Sequence, residues 1–252
     1  MYSEYKTRKW FDDYTDTFRI DGSLSPRQEQ KRKHSLRVMR IACQIAEANE
    51  WNEENDMWLA HAVGLLHDVA RFEQCRDYGT FSDAKSFDHG ERGADILAAR
   101  FDWSGIDERD KDKVLQAVRH HNKSEISSHT PLSVYRWCAL VRDADKIDIC
   151  CSAKARFKDG TIYEMLPDGC SGRGFTPEFV SGVRRSKKVL YEKIRTIDDC
   201  GLTILMWAFD LHFPVSLATM KNEGIFDFAA NMIKGHGEDL LVDEIVREIS
   251  TL

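Results

Sequence analysis

Proline is scarce in this 252-residue chain, with only five residues, and the polar–apolar alternation that marks β-strands is scarce as well. The chain also lacks an apolar run long enough for a bilayer. Its longest candidate, 202–213, includes Asp210 and His212 and falls short of the roughly 20 apolar residues that a spanning helix needs, so no membrane partner is expected. The opening segment, MYSEYKTRKWFDDYTDTF, contains no apolar core of a secretion leader. Seven cysteines, at 43, 75, 138, 150, 151, 170 and 200, form no CxxC pair and no finger-like spacing. They read as buried thiols in a reducing compartment, and cytoplasm is the expected location. An excess of positive charge is missing too, since the formal net charge is −6. Nucleic acid would ask for a basic face that displaces counterions from phosphates, so it is not an expected partner.

What the chain does have is apolar spacing at three and four residues almost throughout, the mark of an all-α protein. With 42% apolar and 31% charged residues it can bury a real core under a solvated surface. Ser25 and Pro26 read as cap and first position of a helix over 26–49. A second helix, 52–70, is apolar nearly all round in its later half (LAHAVGLLHDVA), which marks it as central and buried. Periodicity is lost over 71–87, which reads as a loop, and helices follow at about 88–100, 107–122 and 131–151. The turn-rich stretch 158–174 reads as a long loop or lid, after which Thr176-Pro177-Glu178 restarts helix, with three or four more helices to the end. Glycines near 169–174 are not followed by the GK[ST] ending of a phosphate-cradling loop and take no nucleotide role. A basic cluster of Arg27, Lys31, Arg32, Lys33, Arg37 and Arg40 reads mostly as the wet side of its helix, with some capacity to attract a phosphorylated small molecule.

Several polar residues fall where apolar ones belong. His34 lies four residues before Val38 on the stripe Val38, Ile41, Ala42, Ile45, so an imidazole faces the core. The buried run of the second helix ends in His67-Asp68, and an unpaired carboxylate there is costly unless a cation compensates it. Gly64, one turn earlier, reads as space for an ion or substrate. His121 continues the stripe Val114, Ala117, Val118, whereas His120 falls about 100° away and nearer the surface. His89 shares a face with Gly93, Ile96 and Leu97, and Val134, Cys138 and Val141 lead to Asp145, with Asp148 one turn on. Asp143 reads as solvated or a cap. Any one such histidine is more often a hydrogen-bonded core residue than a ligand. As a set they are satisfied economically by a divalent transition metal, for which imidazole and carboxylate suit iron, manganese, zinc, cobalt or nickel.

The series His34, then His67-Asp68 about thirty residues on, then Asp145 within RDADKID, resembles the H…HD…D signature of the HD superfamily of metal-dependent phosphohydrolases. HDVARFEQ, YGTF, DHGERGADIL, AVRHHNK and RDADKIDIC are similar to the extended pattern of a bacterial HD subgroup without an assigned substrate. The resemblance covers about residues 30–150 and implies an HD-domain helical bundle with additional C-terminal helices. In this reading 1–252 is a single helical domain with an HD core at about 26–152, and 153–252 is a loop or lid followed by a helical extension. The resemblance implies that His34, His67, Asp68 and Asp145 hold one ion. His89 and His121 occupy positions where two-metal relatives place extra histidines, so that Asp68 can bridge to a second ion. The region HGERGADIL lacks the GYP motif of the cyclic-dinucleotide phosphodiesterases, which argues against such a substrate.

The activity so implied is hydrolysis of a phosphate ester or anhydride, with Asp68 and His67 catalytic and a nucleotide or related small phosphorylated metabolite as substrate. Arg71, Lys123 and Lys146 lie within a few residues of expected ligands and are candidate phosphate partners, although Arg71 has an equally good local partner in Glu73. His61 shares the face of Asp68 but lies two turns away, roughly 10 Å, which suits a core or supporting position. His129, His212 and His236 take no role. The competing class is a regulatory HD module that binds metal and nucleotide without turnover. Self-association into a homo-oligomer is left open.

Overall fold

Ser25 accepts the Gln28 amide while the Gln28 side chain returns to the Ser25 amide, a reciprocal cap that starts α2 (Pro26–Ala48). In the computed structural model, which describes residues 2–165 and 170–252, the described elements are helices and 3-10 turns without a named strand, so the chain is all-α. Two compact units are present, Met1–Asp148 and Ile149–Leu252.

In the first unit α2 lies against α3 (Asp56–Leu66), whose residues from Trp58 onward are all buried. A Cβ on Gly64 would stand 2.7 Å from Met39 Cα and 3.1 Å from Ala42 Cβ. The missing side chain at Gly64 therefore lets two helix backbones approach, and the expected room for an ion is filled by α2 itself. The helix expected over 52–70 stops at Leu66. Residues 67–69 make a turn, and α4 (Ala70–Tyr78) occupies much of the stretch expected to be a loop, followed by a 3-10 turn at Asp83–Lys85. Helix α4 has no apolar stripe to read, because it buries Glu73 and Gln74 beside Ala70 and Phe72. Those polar groups are matched by Arg92, 2.7 Å from Glu73 Oε2, and by Ser86 Oγ, 2.7 Å from Gln74 Nε2.

An N-terminal helix to which the sequence reading assigned no element, α1 (Glu4–Asp16), sets Phe11 and Tyr14 edge-on to Phe72, with ring centroids 6.2 and 6.5 Å away. Asp88 caps α5 (His89–Arg100) by accepting the Gly90 and Glu91 amides, and Asp107 caps α6 (Glu108–His120). Helix α7 (Leu132–Lys158) runs past the expected end at 151. Every residue of α7 from Trp137 to Ala144 is buried, Asp143 included, so the solvated position expected for Asp143 does not exist.

The second unit takes the end of α7, a 3-10 turn at Ile162–Met165 and, among the described residues, five further helices, the one restarting at Pro177 and four more, within the three or four expected after it. These are α8 (Pro177–Ser186), α9 (Ile197–Met206), α10 (Pro214–Asn222), α11 (Ile225–Ile233) and α12 (Asp239–Thr251). Part of the loop expected over 158–174, with Gly169, lies outside the described residues. Gly201 brings α9 close to Ile233 and Met232 of α11. The buried Asp198 carboxylate accepts from Arg173 at 2.8 Å and faces His236 Nδ1 at 3.1 Å. No helix among the described residues is long and apolar enough to cross a membrane.

Candidate metal centre

Five chain segments of the first unit deliver polar side chains to one place. His34 comes from α2, His67 and Asp68 from the turn between α3 and α4, His89 from the first position of α5, His121 from the C-terminal cap of α6, and Asp145 from α7. All four histidines are buried, as is Asp68, while the Asp145 side chain keeps 22% of its surface exposed.

Each histidine spends its Nδ1 on an acceptor behind it. His67 donates to Gly64 O at 2.9 Å and His121 to Val118 O at 2.7 Å. His34 pairs with Asp148 Oδ2 at 2.7 Å and His89 with Asp83 Oδ2 at 2.6 Å. With Nδ1 the donor, each ring in its neutral form turns an Nε2 lone pair inward. The Nε2 atoms of His34 and His67 stand 3.2 Å apart, and those of His89 and His121 stand 3.0 Å apart. Asp68 lies between the two pairs. Its Oδ2 is 3.5 Å from both His34 and His67 Nε2, and its Oδ1 is 3.5 Å from both His89 and His121 Nε2. Asp145 Oδ1 is 3.1 Å from His34 Nε2 and 3.8 Å from His67 Nε2, is buried, and has no well-formed hydrogen bond among the described residues.

Lone pairs converging at 3 Å repel unless a cation lies between them. Ligands about 2.1 Å from a common ion stand about 3.0 to 3.4 Å from one another, for right-angled or tetrahedral geometry. The observed spacings fit that pattern on both sides of Asp68, and the groups His34–His67–Asp68 and Asp68–His89–His121 each have their ligand atoms within 4.8 Å. The donor set thus fits divalent metal, with Asp68 common to both groups and Asp145 beside the first.

The electrostatics agree. Burial keeps His67 below the usual imidazole range and pushes His89 down to about 3, the neutral state that a ligand needs. Burial and Lys31 both disfavour a charged His34, yet Asp145 and Asp148 outweigh them and raise its pKa, so the carboxylates call for positive charge there. Burial opposes the Asp68 charge, but Lys31 and the surrounding histidines hold its carboxyl well below the ordinary range.

The structure places the three candidate phosphate partners differently. Arg71 stands with Nε 3.4 Å from Asp68 Oδ1 and NH1 3.1 Å from Asp83 Oδ1. Its proposed local partner, Glu73, pairs with Arg92 and Arg100. The Lys123 ammonium is engaged by Asp88 and Glu91, and Lys146 is buried. Of the remaining histidines, His120 is half-buried and His61 is buried with no hydrogen-bond partner at Nδ1 among the described residues.

From the sequence Lys31 belongs with the wet basic residues of its helix, yet its Nζ is 2.8 Å from Asp68 Oδ2. Its signal was available, since it precedes His34 by three residues and so shares its helical face. Asp83, by contrast, lies in a stretch without periodicity, and nothing in the sequence marked it. Asp148 was read as inward-facing, and it holds His34 from behind together with Arg37, 2.6 Å from its Oδ1.

No protein of curated function matches the chain. It is similar to a solved structure described as a predicted HD superfamily hydrolase from an uncultured Thermotogales bacterium, with 25% identity over 62% of this chain and 72% of that one and a TM-score of 0.40. The HD domain family model matches residues 32–150, a span that contains His34, His67, Asp68, His89, His121, Asp145 and Asp148. Residues 32–150 of the chain thus carry the likeness to the HD domain family.

Proposed function

We propose that the protein is a metal-dependent phosphohydrolase acting on a nucleotide or related small phosphorylated metabolite. The observation that carries this reading is the position of Asp68, whose two oxygens each face a pair of histidine Nε2 atoms at 3.5 Å. Such a carboxylate suits two ions of iron, manganese, zinc, cobalt or nickel, with His34, His67 and Asp145 on one side and His89 and His121 on the other. Divalent ions held there supply water activation near neutral pH and neutralise charge on a phosphoryl group.

The chain's own residues do the rest. Nδ1 contacts to Asp148, Gly64, Asp83 and Val118 hold the four rings in one tautomer and orientation. Arg71, fixed by Asp83, presents a guanidinium beside Asp68 where an anionic substrate oxygen would need a donor. Exposed surface on Asp145 and Lys31, 22% and 21% of the side chains, marks the side from which substrate enters.

The test is a screen of nucleotides and phosphate esters with each of these metals, followed by Asp68→Ala on the best substrate. Loss of turnover with helical content retained is the expected result. Turnover equal to the parent would dismiss the catalytic reading in favour of a regulatory module that binds metal and nucleotide.

A further inference from the structure

Away from the His–Asp cluster, the second unit brings two cysteine side chains together at the start of α9. Residues 170–176 run along the residues that begin α9 and are pinned there by bonds that involve no sulfur. The Ser171 amide donates to Arg195 O at 2.9 Å, and the Ile197 amide to Gly172 O at 3.3 Å. The buried carboxylates of Asp198 and Asp199 add to the attachment, accepting from the Arg173 guanidinium at 2.8 Å and from the Thr176 amide at 2.9 Å. Cys170 opens this segment, and Cys200 lies one turn into α9, its amide bonded to Thr196 O.

With both backbones fixed, the two thiols meet. Cys170 donates to Ile194 O at 3.6 Å, and the Cys200 thiol in turn donates to the Cys170 sulfur. Both residues are half-buried, so a small oxidant can reach them. Burial raises both thiols, Cys200 to about 12, but at Cys170 the Arg195 guanidinium and the bond from Cys200 work against it. Cys170 is therefore the sulfur that ionises first, and Cys200 the one that keeps its proton. An ionisable sulfur with a second thiol against it is the arrangement in which an oxidised cysteine is captured by its neighbour.

We infer that Cys170 and Cys200 form a redox pair, a modification site that hydrogen peroxide closes to an intramolecular disulfide and that a dithiol reopens by exchange, itself becoming a disulfide. The inference is independent of the phosphohydrolase reading. In the first step the Cys170 thiolate attacks one peroxide oxygen and the O–O bond breaks. The departing hydroxide takes up the proton that Cys170 released, which leaves a sulfenic acid and one water. In the second step the Cys200 sulfur attacks the Cys170 sulfur, the S–O bond breaks, and the hydroxyl leaves as water with the Cys200 proton. The two cysteines lose two electrons and two protons, and the peroxide is reduced to two waters. Because residues 170–176 are already held against α9, the bridge adds a covalent tie between segments that are in place before it forms.

The test is stepwise oxidation of the reduced full-length protein with hydrogen peroxide, followed by alkylation of the remaining thiols and peptide mapping by mass spectrometry. At the lowest dose that consumes thiol, the parent is expected to lose two of its seven thiols, to yield a peptide pair joined through Cys170 and Cys200, and to regain both thiols with dithiothreitol. Cys200→Ser is expected to carry a sulfenic acid at Cys170 that dimedone traps. Cys170→Ser is expected to leave Cys200 unmodified at the same dose, with circular dichroism confirming that both variants are folded. The parent's own peptide map stands whatever the variants do. Oxidation of Cys170 to a sulfinic acid without a bridge would overturn the pair, and so would a bridge from either cysteine to another partner, or both persisting as thiols while other cysteines oxidise. Dimedone captured at Cys200 in Cys170→Ser would overturn the assigned order of attack.

Discussion

Asp148 Oδ2 lies 2.7 Å from His34 Nδ1, so a carboxylate on α7 orients a ring carried 114 residues earlier on α2. Arg37 holds the same carboxylate from the far side, with Nε 2.6 Å from Oδ1. Supporting carboxylates of this kind set the tautomer and basicity of a ligand, and losing one commonly weakens metal affinity by about 10–100-fold. Asp148→Asn keeps an acceptor for His34 but removes the charge that pairs with Arg37. Metal competition against a chelator should show affinity lower by about one order of magnitude or more. Unchanged affinity would mean that the contact serves only packing.

In the proposed two-ion reading the second position would depend on His89 and His121, while the first would not. His89→Ala is therefore expected to lower bound metal, measured by elemental analysis after dialysis, from two ions per chain to one. A variant that still retains two ions would show that Asp68 does not divide its oxygens as the spacings indicate.

Gly64 has no room for a side chain. An added Cβ would meet the Met39 backbone at 2.7 Å, and backbone within a helix cannot rotate away as a side-chain end would. Gly64→Ala should destabilise the protein by roughly 1–3 kcal/mol, the usual range for overpacking, read from urea unfolding. Because the strain falls between α2 and α3, weaker metal binding is expected as well. A variant as stable as the parent would show that the helices separate freely.

His61 provides a pH test separate from the metal ligands. It is 6% exposed, has no hydrogen-bond partner at Nδ1 among the described residues, and is pushed down to about 4 chiefly by burial, with Arg8 adding to the effect. As pH falls below the ordinary value of about 6.5, the unfolded chain takes up a proton that the folded chain refuses until pH is near 4. Stability is thus fully present above 6.5 and declines as pH falls through this window, by at most about 3 kcal/mol from this residue. Metal-free His61→Leu should lose less stability than the parent between pH 7 and pH 4.5, by denaturant unfolding. Parallel curves for the two proteins would mean that His61 is protonated in the fold.

Much of the candidate site was legible because helices repeat. His34, His121 and Asp145 each extend an apolar stripe, and that spacing alone turns them inward once the stripe is buried. Helix α4 was not legible, since its buried Glu73 and Gln74 look like solvent-facing residues until Arg92 and Ser86 are in place. Gly64 was misread for a related reason: a gap in a sequence does not reveal whether an ion or a neighbouring backbone fills it.

The sequence by itself determined the helical class, the start of α2 at its Ser25–Gln28 cap, and the residue types of a His–Asp metal set, because capping and periodicity are local properties. Only the tertiary structure decided that Asp68 stands between two histidine pairs, that Asp83 and Asp148 support the rings, and that Lys31 belongs to the site. Those relationships join residues far apart in the chain, and helix packing alone brings their side chains within 4 Å of one another.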